Sequence, residues 1–187
     1  FRNLLGSKPI QIGTSGVFAG VRFSVVGRLQ LRYDAGLWNE WFIWFDDGSS
    51  GWLGDAAGQY MITQAAEVTG TLPEFESLEP TKSVVLTRVI KGAAASYVVT
   101  DVRTAECVGG EGELPFAVGK GYVAKVAHLR SQYDFITLDY SDTAPVAYRG
   151  AAVGLDVLEC QLLRDDDVIH RSAGRYRGVK HVLDCPH

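Results

Sequence analysis

Cysteine, long apolar runs and targeting segments are scarce or missing in this chain. Its 187 residues include three cysteines, Cys107, Cys160 and Cys185, and so small and odd a number does not predict a disulfide framework. It fits a reducing compartment, so we expect a cytoplasmic protein. No apolar run approaches the roughly 18 residues of a membrane-spanning helix, and the opening FRNLLGSKPIQIG lacks the pattern of a signal peptide. We therefore expect no direct membrane insertion.

The charge balance and the missing motifs argue against several functions. The formal net charge is −4 at pH 7, whereas a general nucleic-acid binder needs a basic stripe to neutralise phosphates. The Gly-rich stretches GSSGWLG and VGGEGELPFAVGKG lack the Lys-Ser/Thr ending of a nucleotide-binding loop. The four histidines are scattered, and no nucleophile, base and orienting group are recognisable together. We predict a protein that neither binds nucleic acid nor acts as an enzyme.

What the chain does contain is the periodicity of β-strands. The stretch FSVVGRLQLRY at residues 23–33 places apolar side chains at alternate positions with polar ones between them, and a period of two marks a half-buried strand. An aromatic-rich stretch follows and ends at the turn dipeptide Asp47-Gly48. Repeated short strands of this kind predict an all-β fold built from small antiparallel units.

A similar order of strands recurs in the second half of the chain. VFAGVRFSVVGRL can be set beside VIKGAAASYVVTDVR, and the WNEW run then falls opposite GEGEL. This period of about 75 residues predicts a tandem duplication into two small β-barrel or roll units. We predict a first unit over residues 9–70, a polar linker over 71–82, a second unit over 83–160 and a C-terminal extension over 161–187. The spacing of leucines from Leu155 to Leu163 leaves a short helix and a final strand both open there.

All four tryptophans lie within 15 positions, in the run LWNEWFIWFDDGSSGWL. Strand alternation gives both faces of this run large rings, more than a barrel of roughly 70 residues can bury. The surplus has three interpretations: packing between the two units, contact with a partner protein, or a cage around a small molecule. The candidate ligand- or partner-binding residues are Tyr33, Trp38, Glu40, Trp41, Trp44, Asp46, Trp52, Glu111 and Glu113.

Carboxylates accompany these rings. Glu40 lies between Trp38 and Trp41, and the alignment of the halves gives Glu111 and Glu113 the corresponding place. A carboxylate beside indole rings is desolvated, which raises its pKa and suits it to neutralise a cation stacked on aromatic faces. In the alternative interpretation Glu40 points outward or accepts hydrogen bonds from turn amides. The sequence leaves both open.

Three functions follow from these features. The first is a non-catalytic binding or scaffold module that contacts a protein partner through an aromatic and acidic surface. The second is a sensor for a small cationic, polyamine-like ligand, held in a box of Tyr33, Trp38, Trp41 and Trp44 with charge from Glu40 and Asp46. An enzyme of unknown class is the least supported, since no catalytic constellation is visible.

Three motifs occur in order along the chain: WNEW, then DDG followed by GWL, then GEGELPF. Through these motifs residues 9–160 resemble a bacterial family known only as domain of unknown function 4178. The resemblance implies architecture rather than activity, zinc ribbons outside the matched region, and genes near those of polyamine synthesis and membrane stress. Cys185 and His187 would supply one ligand pair, whereas a structural zinc site needs four ligands. We expect no cofactor in this chain itself, and zinc only where a ribbon follows.

Overall fold

The computed structural model describes residues 9–56, 59–88, 92, 94–117, 122–132 and 134–161. In this part of the chain the regular structure is β-sheet, apart from one 3-10 turn at Phe75–Ser77, which confirms the all-β prediction. The strands are β1 Ser15–Phe18, β2 Val21–Tyr33, β3 Gly36–Phe45, β4 Ser50–Ala56, β5 Gln59–Ala65, β6 Val68–Thr69, β7 Ser83–Arg88, β8 Ala94–Gly112, β9 Val123–Arg130, β10 Phe135–Asp139 and β11 Val146–Val153.

Eight of these strands close into one antiparallel barrel. β2 to β5 form one meander and β8 to β11 form another. The two meanders are joined twice, where β5 pairs with β11 and where β2 pairs with β8. The ring therefore runs β2-β3-β4-β5-β11-β10-β9-β8, while β1, β7 and β6 extend the sheet outside it. Closure matters because it pairs strand edges that would otherwise be exposed.

The barrel is shared by the two halves of the chain rather than built once in each. Residues 9–70 and 83–160 each contribute four strands to the ring, and neither set closes on itself. The prediction of one barrel per unit is therefore corrected to a single barrel. The alignment of WNEW with GEGEL is wrong as well, because β3 and β9 hold equivalent places in the two meanders and GEGEL lies at the end of β8.

Two long strands make the closing seam possible, because each changes partner along its length. β2 pairs first with β1 and then with β8, and β8 pairs first with β7 and then with β2. Gly27 lies opposite Gly112 in the seam. A Cβ at Gly27 would come 1.8 Å from the carbonyl oxygen of Glu113, and Gly112 has a φ of +70°. Both positions need glycine, since no side chain fits the first and the second backbone is left-handed.

The strands bury apolar side chains in three clusters. The first belongs to the first half and contains Phe23, Val25, Trp41, Ile43, Phe45, Leu53 and Ile62, covered by Ile10, Leu158 and Cys160. The second belongs to the second half and contains Leu78, Val84, Leu86, Tyr97, Val99, Ala127, Leu129, Ile136, Leu138 and Ala147. A third, of Leu29, Leu31, Trp38, Ala105 and Ala124, is shared by both halves. Each half therefore has a core of its own, and the seam has another.

The predicted linker packs against the sheet, and Gln161, the first residue of the predicted C-terminal segment, forms a bridge with Ser15. Within residues 71–82, Leu78 is buried in the second cluster, and the Tyr140 hydroxyl donates to the Pro73 carbonyl over 2.7 Å. Residues 155–159 form turns, and no helix is found between Val153 and residue 161. The remainder of the predicted extension lies outside the described residues.

A buried charge cluster fixes β7, β8 and β11 around one aspartate. Asp134 accepts from the Tyr97 hydroxyl over 2.6 Å, and its two oxygens lie 3.3 Å from Arg88 Nη1 and 3.1 Å from Arg149 Nε. Arg88 and Asp134 are both buried. Burial and the neighbouring carboxylate raise the pKa of Tyr97 to about 12, so its hydroxyl stays a donor at neutral pH.

We expect Gly27→Ala to destabilise the barrel by about 2 kcal/mol or more, because the added methyl overlaps the Glu113 carbonyl. The matched control is Gly109→Ala in the same seam, where a Cβ meets no atom within 4 Å. Urea denaturation of both variants measures the difference. Equal stability of the two variants would contradict the close approach of β2 and β8.

Asp134→Asn is expected to lower the free energy of unfolding by about 3–5 kcal/mol, because it leaves the buried Arg88 charge without its carboxylate. Asp142→Asn is the control, since Asp142 is exposed and bonds only locally to Thr143. We expect the control to change stability by less than about 1 kcal/mol. Thermal unfolding followed by circular dichroism gives both values, and a small effect at Asp134 would show that its charge is not essential to the core.

Candidate functional site

The closed barrel surrounds a cavity of about 930 Å³, which we call the lumen. Its lining draws on every strand of the ring, with Leu29 from β2, Trp38 from β3, Trp52 from β4, Met61 from β5, Arg103 from β8, Val126 from β9, Thr137 from β10 and Ala152 from β11. An eight-stranded barrel is just wide enough to hold one small ligand. The volume lies within the range of ordinary small-molecule sites.

Aromatic rings form much of the lumen wall. The lining includes Trp38, Trp52, Tyr60, Phe116, Tyr122 and Tyr148. Phe116 stacks on Tyr122 with ring centres 5.3 Å apart and lies 6.0 Å from Trp52. Phe116 follows β8 and is 38% exposed, so this group of rings reaches from the lumen to solvent. Such faces attract both apolar groups and cations.

Four acidic residues, Glu40, Asp55, Asp139 and Asp156, line the lumen. Glu40 and Asp139 lie on the inward faces of β3 and β10, whereas Asp55 pairs with Asn39 on the face of β4 that carries Leu53. Glu40 lies between Leu29 on β2 and Gly54 on β4. Its Oε1 accepts from Trp38 Nε1 over 3.0 Å, and a Cβ at Gly54 would come 3.4 Å from both carboxylate oxygens. The glycine therefore leaves room for the Glu40 carboxylate against the barrel wall.

The environment of Glu40 favours its protonated form. Desolvation is the main cause that raises the pKa of Glu40 to about 7; the hydrogen bond from Trp38 opposes the change, and the nearby Asp139 and Asp55 add to it. Asp139 itself is held in place, because Ser141 donates to its Oδ1 from both its backbone amide and its hydroxyl. The lumen thus contains fixed, partly desolvated carboxylates.

The basic side chains of the lumen are engaged or neutral. Arg103 forms a salt bridge with Asp101 and lies 4.5 Å from the ring centre of Tyr33 and 5.8 Å from that of Trp38. Desolvation and the nearby Arg103 lower the pKa of His128, whose Nδ1 lies 3.1 Å from Thr137 Oγ1. Because the arginine has its own aspartate and the histidine is neutral at pH 7, the carboxylates give the lumen a negative character.

The structure separates the residues of the predicted aromatic box. Trp38, Glu40 and Trp52 face the lumen, and Tyr33 contacts Trp38 with ring centres 4.6 Å apart. Trp41 points to the other face of β3 and is buried in the first cluster. Strand alternation is the reason, since neighbouring odd and even positions face opposite sides. A box that combines Trp38 with Trp41 is therefore wrong.

The outer residues of the predicted site also lie away from the lumen. Trp44 shares a face with Trp38 but lies further along β3, where it is 51% exposed, and Asp46 is exposed in the turn that follows. Glu111 on β8 pairs with Arg28 on β2, with Oε1 and Nε 3.2 Å apart, and Glu113 is exposed beyond the seam. These two glutamates do not correspond to Glu40.

Several lumen residues were missed by the sequence analysis, among them Tyr60, Asp139, His128 and Arg103. In β9 and β10, His128, Thr137 and Asp139 occupy the polar positions of strands whose other face is buried. A polar alternate face normally means a face exposed to water. The sequence does show aromatic and acidic residues at these alternate positions. That pattern indicates a lined cavity only when the strands are known to close into a barrel.

A comparison with family models matches residues 11–154 to the family described as Domain of unknown function (DUF4178). The chain belongs to this family. Comparisons with curated proteins and with solved structures found no match. The DUF4178 match spans all eleven strands, from β1 to β11, so the lumen lies within the family domain. Leu158 and Cys160, which cover the first cluster, lie just beyond it.

Metal and membrane features can be described only for part of the chain. Within the described ranges, no three His, Cys, Asp or Glu side chains are grouped so that they could hold a metal ion. The predicted zinc ligands Cys185 and His187 lie outside these ranges. The same residues include no helix with the length and apolar character needed to cross a membrane.

The raised pKa of Glu40 predicts a stability that falls as the pH rises. The folded chain keeps the Glu40 proton up to about pH 7, whereas the unfolded chain loses it near 4.5. Since the folded state binds more protons in this window, the free energy of unfolding falls from about pH 4.5 to about pH 7 and then levels off.

Glu40→Gln should remove this decline and be more stable than the wild type at pH 8 by about 2 kcal/mol. Gln retains the acceptor for Trp38, and Glu79→Gln, at an exposed position, serves as control. Urea denaturation at pH 5, 6, 7 and 8 measures the three profiles. Parallel profiles of the wild type and Glu40→Gln would contradict the desolvation of Glu40.

Proposed function

We propose that this DUF4178 domain is a non-catalytic binding module whose lumen takes a small cationic organic ligand. The observation that supports it best is the combination of Glu40 and Asp139 with aromatic rings in one 930 Å³ cavity. Carboxylates desolvated beside aromatic faces attract cations from two sides, by charge and by the ring quadrupole. A polyamine-like ligand agrees with this chemistry.

The expected affinity follows from the contacts that the lumen offers. Each cation–π contact contributes about 0.5–2 kcal/mol, and charge-assisted hydrogen bonds to carboxylates contribute about 1.5–3 kcal/mol. Two contacts of each kind, less the entropy lost on binding, correspond to a micromolar dissociation constant. A ligand cation would also remove the unfavourable interaction between the facing carboxylates.

A second candidate function is contact with a protein partner through Trp44. This side chain is 51% exposed, and the exposed Asp46 and Asp47 follow it. Exposed aromatic residues are frequent anchors of protein interfaces. Of the tryptophans in the predicted aromatic and acidic surface, Trp44 is the one that lies exposed outside the barrel. The partner-binding function would therefore depend on one aromatic ring, whereas six aromatic rings line the lumen.

We also infer that the two halves arose by duplication. Strands β1 to β5 and β7 to β11 are arranged in the same order, and at both junctions a strand pairs with its counterpart in the other half, β2 with β8 and β5 with β11. The small and odd number of cysteines supports a cytoplasmic location. We keep zinc as a proposal for a natural chain in which Cys185 and His187 are joined by two further ligands.

Calorimetric titration with spermidine tests the lumen, with two tryptophan variants as a matched pair. Trp52→Ala removes a ring of the lumen and should weaken spermidine binding at least tenfold, whereas Trp44→Ala removes an exposed ring and should leave it unchanged. Circular dichroism confirms that both variants are folded.

The outcomes separate the two functions. Binding that depends on Trp52 supports the lumen site. Absence of heat from the wild type at millimolar spermidine and millimolar cadaverine overturns the cationic-ligand proposal. A partner protein that is retained by Trp52→Ala and lost by Trp44→Ala would favour the second function instead.

A further inference from the structure

We propose that the ligand's charged group is an ammonium with N–H bonds, seated between Glu40 and Asp139 on opposite walls of the lumen, and that it displaces a proton otherwise held there. This inference rests on the proposed function, which it sharpens in three ways. It places the charge, it distinguishes protonated amines from quaternary ammonium ions, and it couples binding to proton release.

The position follows from the order of the strands. Glu40 lies on β3 and Asp139 on β10, which are four strands apart in a ring of eight. Strands so related face each other across a barrel. Both side chains line the same cavity, and the Asp139 carboxylate contributes to the raised pKa of Glu40. A ligand between them is contacted from two sides.

The requirement for N–H bonds follows from the chemistry of the wall. An ionised carboxylate is an acceptor with no hydrogen to donate. Asp139 is fixed by Ser141 and Glu40 by Trp38, so their positions are set before a ligand arrives. A protonated amine donates hydrogen bonds to both groups. A quaternary ammonium ion carries the same charge but leaves the desolvated oxygens without donors, which such sites reject strongly.

The groups that face Glu40 favour a proton on its carboxylate when no ligand is bound. Asp55 and Asp139 repel a second negative charge, and burial raises the pKa values of Tyr60, Tyr122 and Tyr148, so these phenols are neutral at pH 7. His128 is neutral there, and Arg103 is paired with Asp101. Without a ligand, a proton on Glu40 relieves the repulsion. An arriving ammonium takes over that role, so the proton leaves to solvent.

A pair of ligands matched in length and charge tests the inference on the wild-type protein. Cadaverine carries two primary ammonium groups, and its hexamethylated bis-quaternary counterpart carries the same charges without N–H bonds. We expect cadaverine to bind at least tenfold more tightly. Calorimetry at pH 7 in phosphate and in Tris, which differ in ionisation enthalpy, should give about half a proton released per cadaverine, since Glu40 is about half protonated there.

Two conservative variants test the residues. Glu40→Gln should abolish the proton release, and Asp139→Asn should weaken cadaverine binding at least tenfold while some spermidine binding persists. Asp142→Asn, outside the lumen lining, is the control for both and should behave as the wild type. The ligand pair on the wild type keeps the test decisive should either variant fail to fold.

Each outcome has one meaning. A cadaverine preference with proton release supports the inference. Equal or tighter binding of the bis-quaternary ion overturns the N–H seat while leaving a cationic lumen intact. Cadaverine binding with no difference between the buffers overturns the proton exchange. If neither ligand binds, the proposed function itself is overturned.

Discussion

The pairing of β2 with β8 is the contact on which the rest of the structure depends. Two backbones approach at Gly27 and Gly112 more closely than any side chain allows, and this approach joins the last open edges of the two meanders. Were the seam open, the chain would be a long curled sheet with unpaired edges and no lumen. The strain of a left-handed glycine is small beside the ladder of hydrogen bonds that it permits.

On β3 the residues of the first cluster and the residues of the lumen lie on opposite faces. The face that carries Trp41, Ile43 and Phe45 is packed against its own half of the chain, as is its counterpart in the second half. The opposite face carries Trp38 and Glu40 into the lumen. Because alternation keeps the two sets of residues apart, the lumen can hold destabilising features, such as facing carboxylates, without loss of the two cores.

The facing carboxylates place negative charge in the lumen, and the protonation of Glu40 reduces what this costs the folded state. A buried negative charge is unfavourable, and a protonated Glu40 lessens that penalty. The same arrangement makes the site responsive, since whatever supplies positive charge competes with the proton. Under the proposed function, this arrangement lowers folding stability for the sake of binding, as is common at functional sites.

Strand alternation in the sequence by itself determined the all-β class, the strand at 23–33 and the shared face of Trp38 and Glu40, because these follow from a local period of two. A single apolar face along 23–33 is wrong, because a bulge between Val25 and Gly27 turns Phe23 and Val25 towards the first cluster and Leu29 and Leu31 towards the lumen. The sequence also singled out Glu40 as a carboxylate beside indole rings, but it left open whether Glu40 points inward or outward. Only the tertiary structure decided which face encloses a cavity, that one barrel replaces two, and that Asp139 lies opposite Glu40. Those relations join residues about 80 to 100 positions apart, and non-local strand pairing is set by edges and close approaches that no local period records.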